Sequence, residues 1–291
     1  RTDPAHWALA QRQRGQALAS AAELASGPER ARLLDAAFAA LAEAERVYTR
    51  ATAPIDWART QIAIGGVLAW RAPLADGPER VRLVARSAAG LRQALEVVNR
   101  WQQPEDWATA QERLGGALLT WTQQAATPAE RAGLVDQAIA AYRAALEIHT
   151  RWTAPAQSAA IQVILADLLR ERAALTTSPQ RPELLEGAAR ALDEALAVYT
   201  RDAAPDAWAR TQQQQGRTLA ALALVGRESD RRRLLQEAQA AFAGALQVLT
   251  GSGGAAPPHA PDARERIQTL QADLTQVTAM LGASAPSAGP E

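Results

Sequence analysis

Cysteine is absent from the 291 residues, and so is lysine. Without cysteine there is no disulfide, no thiol nucleophile and no Cys-ligated zinc. Histidine occurs three times, as His6, His149 and His259, too far apart in sequence to read as a His-rich metal cluster. Every basic side chain is an arginine, and the 31 arginines balance 31 acidic residues to a formal net charge of zero. No global basic field therefore draws the chain to nucleic acid. Long apolar runs are missing as well: nothing approaches the roughly eighteen uncharged apolar residues of a membrane span. The N-terminal residues lack a basic stretch followed by an apolar core. The chain begins at Arg1 rather than Met, from which we expect a fragment or a processed form. HExxH, a Gly-rich phosphate loop and GxSxG are all absent. These absences argue against an enzyme, and we assign no catalytic residue, no metal ligand and no cofactor. We expect a cytoplasmic protein with no membrane partner.

What the sequence does contain is itself, several times over. A proline-to-tryptophan motif recurs as Pro4–Trp7, Pro54–Trp57, Pro104–Trp107 and Pro205–Trp208, weakened to Pro155–Ser158 in the fourth copy. A glutamine keeps the same beat at Gln11, Gln61, Gln111, Gln162 and Gln212. A small residue follows at Gly15, Gly65, Gly115, Ala166 and Gly216, and a leucine at Leu18, Leu68, Leu118, Leu169 and Leu219. An arginine recurs at Arg30, Arg80, Arg131, Arg181 and Arg231, each followed by an apolar pair. The spacing is 50 residues, with one extra residue in the third copy, placed between Pro128 and Leu134.

Each copy reads as two helices of about 20 residues, roughly 30 Å long. In the third, Trp107, Gln111, Leu114, Leu118 and Trp121 follow helical spacing. A second stripe runs from Leu134 to His149, and the break between them holds Pro128. The other breaks hold Gly27-Pro28, Gly77-Pro78, Ser178-Pro179 and Gly226. No stretch alternates with period two, so no sheet is expected. One helical pair cannot bury its apolar stripe alone, whereas stacked pairs bury a continuous core between polar end faces. Three residues after the glutamine the inner copies carry Ile64, Leu114 and Leu165, but the outer ones Arg14 and Gln215. The expected fold is all-α: one α-solenoid of five helix-turn-helix repeats over 1–50, 51–100, 101–151, 152–201 and 202–250. A linker at 251–261, a capping helix at 262–281 and a disordered tail at 282–291 complete it.

Leu114-Gly115-x-x-Leu118 followed by Ala138-Ile-Ala-Ala-Tyr142-Arg-Ala-Ala145-Leu146 resembles the tetratricopeptide repeat. The likeness extends over all five copies. Their period of 50 exceeds the usual 34, which is similar to the long bacterial variety with P-x-x-W-A-x-x-Q-x-x-L-G motifs. Absent lysine and plentiful alanine fit a high-GC bacterial genome. The resemblance implies a binding or sensing array. In bacteria such arrays often stand in larger proteins beside caspase-like protease or nucleotide-binding domains.

The recurring tryptophans read as packing between adjacent repeats, and the glutamines as buried groups bonded to a neighbouring loop's backbone. Arg50, Arg100, Arg151 and Arg201 read as cations at helix C-termini. Function is sought in residues that do not recur. On tetratricopeptide geometry the groove would be lined by Arg12, Gln16, Arg59, Trp70, Thr109 and Glu112. In the last two copies it would be lined by Asp167, Arg170, Glu171, Arg210, Gln213 and Arg217. Trp70 stands one position off its stripe and is either a ligand contact or local packing. Trp101 and Trp152 follow equivalent arginines and form either an edge aromatic pair or packing against the next helix start. The expected function is a protein-interaction module that takes a peptide or partner domain. The alternatives are a regulatory region of a larger effector enzyme and a self-associating scaffold, a homo-oligomer. The mixed signs of the groove residues speak against nucleic acid.

Overall fold

The computed structural model describes residues 3–177, 179–251 and 263–283. The Ser178 of the fourth break, His259, nearly all of the expected linker and the tail from 284 onward lie outside the described residues. Eleven α-helices are described, with no strand among the described residues. The chain divides into two compact units, 1–150 and 151–291.

The first unit contains α1 (Pro4–Leu24), α2 (Gly27–Glu45), α3 (Pro54–Arg71), α4 (Gly77–Leu95), α5 (Pro104–Thr122) and α6 (Pro128–Leu146). The second contains α7 (Pro155–Ala174), α8 (Arg181–Leu196), α9 (Pro205–Val225), α10 (Glu228–Thr250) and α11 (Ala263–Ala283). Each first helix begins on the recurring proline, whose ring presets the helical φ where no N–H is needed. Before those prolines the same turn returns: Ala53, Gln103 and Ala204 donate to the carbonyls of Thr49, Asn99 and Thr200. At the start of α6, Thr127 accepts from the Glu130 N–H, and the Glu130 carboxylate accepts from the Ala126 N–H. Because α6 begins at Pro128, the extra residue of the third copy falls at the α5–α6 corner, ahead of the place the sequence alignment gave it.

Within each unit, helices pack against their sequence neighbours. In the first unit α1 also touches α3, and α3 touches α5; in the second α11 packs on α10 and, less, on α9. Each pair folds back on itself: the Tyr48 hydroxyl after α2 donates to the Ala5 carbonyl at the start of α1, 2.9 Å away. Tyr199 does the same to Ala156 at 3.4 Å.

The recurring small residue sets the closeness of each pair. A Cβ built on Gly15 would lie 2.6 Å from Leu41, on Gly65 2.5 Å from Leu91, on Gly115 2.8 Å from the Tyr142 ring, and on Gly216 2.6 Å from Phe242. Glycine leaves room for a large partner side chain. In α7 the slot holds Ala166, which is fully buried, so that pair accommodates a methyl group. The cores are built accordingly from alanine and leucine: Leu34, Ala37, Leu41 and Val67 in the first unit, Leu235, Phe242, Leu249 and Leu270 in the second.

Several roles differ from the sequence reading. Gln61 is buried but donates to the Glu45 carboxylate, not to a loop backbone. Gln215, expected on a polar outer face, is buried, and its amide N–H donates to the Asp193 carboxylate of the neighbouring helix at 2.8 Å. The recurring arginines stand beyond the helix ends rather than on the last turn. They bridge to the next repeat: Arg50 to Glu96 at 2.9 Å, Arg100 to Glu147, and, in the second unit, Arg151 to Glu194 at 3.6 Å. Trp57 is buried, whereas Trp208 lies over Gly244 of its own pair and Trp7 remains exposed. The α11 stripe packs as expected, with Leu270 and Val277 buried and Ile267, Leu274 and Leu281 half-buried around them.

Candidate functional site

In the first unit, side chains of α1, α3 and α5 converge on Arg113. Its guanidinium lies against α3, where its Nη1 donates to the Ile62 carbonyl at 2.7 Å. A Cβ on Gly66 would stand 3.1 Å from Cδ, Cζ and Nε of Arg113, tighter than ordinary contact. The glycine therefore lets the side chain lie close against the helix backbone. Burial pulls the Arg113 pKa below its ordinary value, and the carboxylates of Glu112 and Glu23 push back.

Two cavities flank Arg113 and share only Gln16 and Arg113 itself. The smaller, about 180 Å³, has apolar walls from Ala19, Leu41, Ala63, Val67 and the Trp70 indole, with Glu23 and Ser20. The larger, about 450 Å³, is lined by the charged and polar Arg12, Gln13, Arg59, Thr109, Glu105 and Asp106 together with Leu9 and Ile62. Two of its arginines hold carboxylates from neighbouring helices: Arg12 to Asp56 at 3.2 Å and Arg59 to Asp106 at 2.8 Å.

The expected groove residues of this unit thus gather around one feature. Arg12, Arg59 and Thr109 line the larger cavity, Trp70 the smaller, and Gln16 both. Trp70 is 36% exposed and lines the smaller cavity, so part of its indole faces open space while the rest is packed. Glu112 instead comes within 3.6 Å of Nδ1 of the buried His149, whose Nε2 is 3.3 Å from Glu105. Arg113 was not foreseen. Its signal was present in Gly66, a second glycine beside the recurring one inside a helix, which the helix pairing does not require.

In the second unit, Asp167 pairs with Arg170 at 3.2 Å and accepts from Gln214 at 2.8 Å, and both line a cavity of about 430 Å³ with Glu171. Burial pushes the Asp167 carboxyl up, while Arg170 and the Gln214 bond draw it down; the net is a raised pKa. Arg217 and Gln213 are tied to the chain's own Asp273 on α11, at 2.9 and 3.4 Å. Arg210 pairs with Asp206 one turn away at 2.9 Å, and Asp206 also holds Arg266 of α11 at 2.7 Å.

Trp101 and Trp152 correct the packing expectation. They are 79% and 81% exposed, one in each unit, and neither is covered by a following helix. In each case the preceding arginine lies over the indole, Arg100 at 4.4 Å and Arg151 at 4.7 Å from the ring centroid. The turn ahead of the helix-starting proline points the ring outward, so cation–π stacking replaces burial.

Among the described residues no group of three His, Asp or Glu is arranged to hold a metal ion. Among them too, no helix is long and apolar enough to cross a membrane. The first unit's groove offers hydrogen-bond donors, a cation and an aromatic wall, which is binding chemistry. No protein-family model matches the chain, and no curated protein matches it.

Proposed function

We propose that the chain is a non-enzymatic protein-interaction module of tetratricopeptide type, cytoplasmic, that takes a peptide or partner domain in the first unit's groove. The fold we propose is a solenoid of five helix pairs with α11 as its cap. The repeated glycine contacts inside the pairs support this reading of the scaffold. The observation that carries the function is the pair of cavities meeting at Arg113 and Gln16, with an exposed tryptophan on the wall. Exposed tryptophan beside arginine is what interface hot spots are made of.

The test compares partner capture by the wild-type chain and by Trp70→Ala, with bound proteins identified by mass spectrometry. Partners lost in Trp70→Ala at unchanged thermal midpoint support the reading. Identical capture by both forms sinks it.

Self-association is a second reading, favoured by the exposed Trp101 and Trp152. Light scattering over a concentration series decides it, since a monomer at every concentration rules it out.

A further inference from the structure

We infer that the Arg113 guanidinium receives the side-chain carboxylate of an internal acidic residue in a partner segment, with an adjacent apolar side chain of that segment set against Trp70. The inference rests on reading the groove as a peptide site and names the chemistry it selects.

Arg113 is the arginine of this groove without a carboxylate of its own. Arg12 holds Asp56 and Arg59 holds Asp106. Among the described residues no carboxylate lies at ion-pair distance from Arg113, whose bond is to the Ile62 carbonyl. A guanidinium has five N–H donors in a planar fork that matches a carboxylate bidentately. Burial of the Arg113 cation is offset only through space by Glu112 and Glu23, with no carboxylate bonded to the guanidinium, and an incoming anion bonded to it relieves more of that cost.

The position of the side chain has its own cost. Glycine inside a helix is worse than alanine by about 1 kcal/mol. Gly66 accepts this, and its missing Cβ gives Arg113 its place. The same slot in the second unit holds Arg217, which takes the Asp273 carboxylate from α11 at 2.9 Å. Groove arginines that hold carboxylates from another helix are thus already present in the molecule, Arg12 with Asp56, Arg59 with Asp106 and Arg217 with Asp273.

The two cavities settle what kind of carboxylate fits. The smaller, about 180 Å³, is below the roughly 300 Å³ at which drug-sized sites begin, so it suits a single side chain. Space continues past Arg113 on both sides. A segment crossing it has residues to either side, which an internal Asp or Glu satisfies and a chain terminus does not. The apolar wall near Trp70 calls for an apolar neighbour, and the larger cavity, with charged and apolar walls alike, takes the residues on the other side. Asp106 is already neutralised by Arg59, Glu105 lies beside His149, and Glu23 on the smaller cavity is left to accept backbone N–H groups of the incoming segment.

The experiment uses two arrays of acetylated, amidated peptides, one with a central Leu-Glu and one with a central Leu-Gln, flanked by randomised positions. They are screened against the full chain, Arg113→Met and Arg113→Lys. Retention of Leu-Glu peptides about tenfold above Leu-Gln on the wild type is expected, the scale of one charge-assisted contact. The preference should vanish in Arg113→Met and shrink in Arg113→Lys, which keeps charge but loses the fork. Both variants are checked for an unchanged helical spectrum, and Arg113→Lys carries the comparison if Arg113→Met does not fold. Equal retention of the two arrays overturns the inference while leaving the groove reading standing. So does a preference that survives loss of the guanidinium, or one that requires a free C-terminal carboxylate. Retention of neither array overturns both.

Discussion

Residues 66 and 217 occupy the same place in their repeats, one in α3 of the first unit and one in α9 of the second. Beneath them the scaffold is alike: Gly65 faces Leu91, and Gly216 faces Phe242. Above them the chemistry diverges. Arg217 is bonded to Asp273 of the chain's own α11, whereas Gly66 makes room for Arg113, which has a backbone carbonyl and open groove beside it. The comparison shows that the helix pairing fixes one position per turn and leaves the next free to vary. In the second unit that freedom is used to fasten a final helix. In the first it leaves a cation facing two cavities.

The shared scaffold can be broken from either side. Phe242→Ala and Leu91→Ala remove fully buried side chains in equivalent slots. Each is expected to lose about 2–5 kcal/mol in urea denaturation, with phenylalanine toward the upper end. A loss below about 1 kcal/mol in one unit alone would mean that the two pairs are not held in the same way. The divergent position is tested next. Gly66→Ala forces Arg113 aside and should cost about 1 kcal/mol, the strain of overpacking exceeding the helix-propensity gain. Gly116→Ala is its control. There a Cβ would meet only the Tyr142 hydroxyl at 3.5 Å, an ordinary contact, and a gain of up to about 1 kcal/mol is expected.

Smaller effects sharpen the picture of α11. Asp273→Asn should lower amide-exchange protection of α11 by about 0.5–1 kcal/mol, the range of a partly exposed ion pair. Burial pushes the Asp206 carboxyl up, but the bond and charge of Arg266, with the charge of Arg210, outweigh it and hold the pKa below its ordinary 3.8. The stabilisation from Asp206 is therefore present above pH 3.8 and lost as pH falls through the depressed value. Protection of α11 should decline only below that pH, and a decline beginning near neutrality would remove Asp206 as the fastening group. The smallest effect is that of Trp70→Ala on stability. Its thermal midpoint should move by no more than about 2 °C, because the indole borders a cavity and is not part of the unit's buried core cluster.

Much of the fold was legible in the sequence because it is periodic. The recurring prolines mark helix starts, the small residues mark close approach, and the stripe from Ile267 to Leu281 marks α11. The groove was legible in part. Arg12, Gln16, Arg59, Trp70 and Thr109 border the two cavities, yet their centre, Arg113, was passed over. An arginine beside an apolar stripe reads as a solvated charge. Its depth depends on a glycine 47 residues earlier on another helix, and one copy of the repeat cannot reveal that relation. Gln61 and the arginines after the second helices were misread for a related reason. Their partners, Glu45, Glu96 and Glu147, lie on neighbouring helices or in the next repeat, so their roles emerge only when pairs are stacked. For Trp101 and Trp152 the sequence leaves packing and an edge aromatic pair both open, and their exposure removes packing. What turned them outward is the loop geometry and the arginine over each ring.

Within each unit, the packing of helices on their sequence neighbours also has a kinetic consequence. Even the bond from Arg266 to Asp206 joins residues only 60 apart, and the hairpin closures such as Tyr48 to Ala5 span 43. Little loop entropy must be lost before native contacts begin to form, which is the condition for fast folding. Within each unit a helix pair can form from its own local contacts before more distant ones are in place.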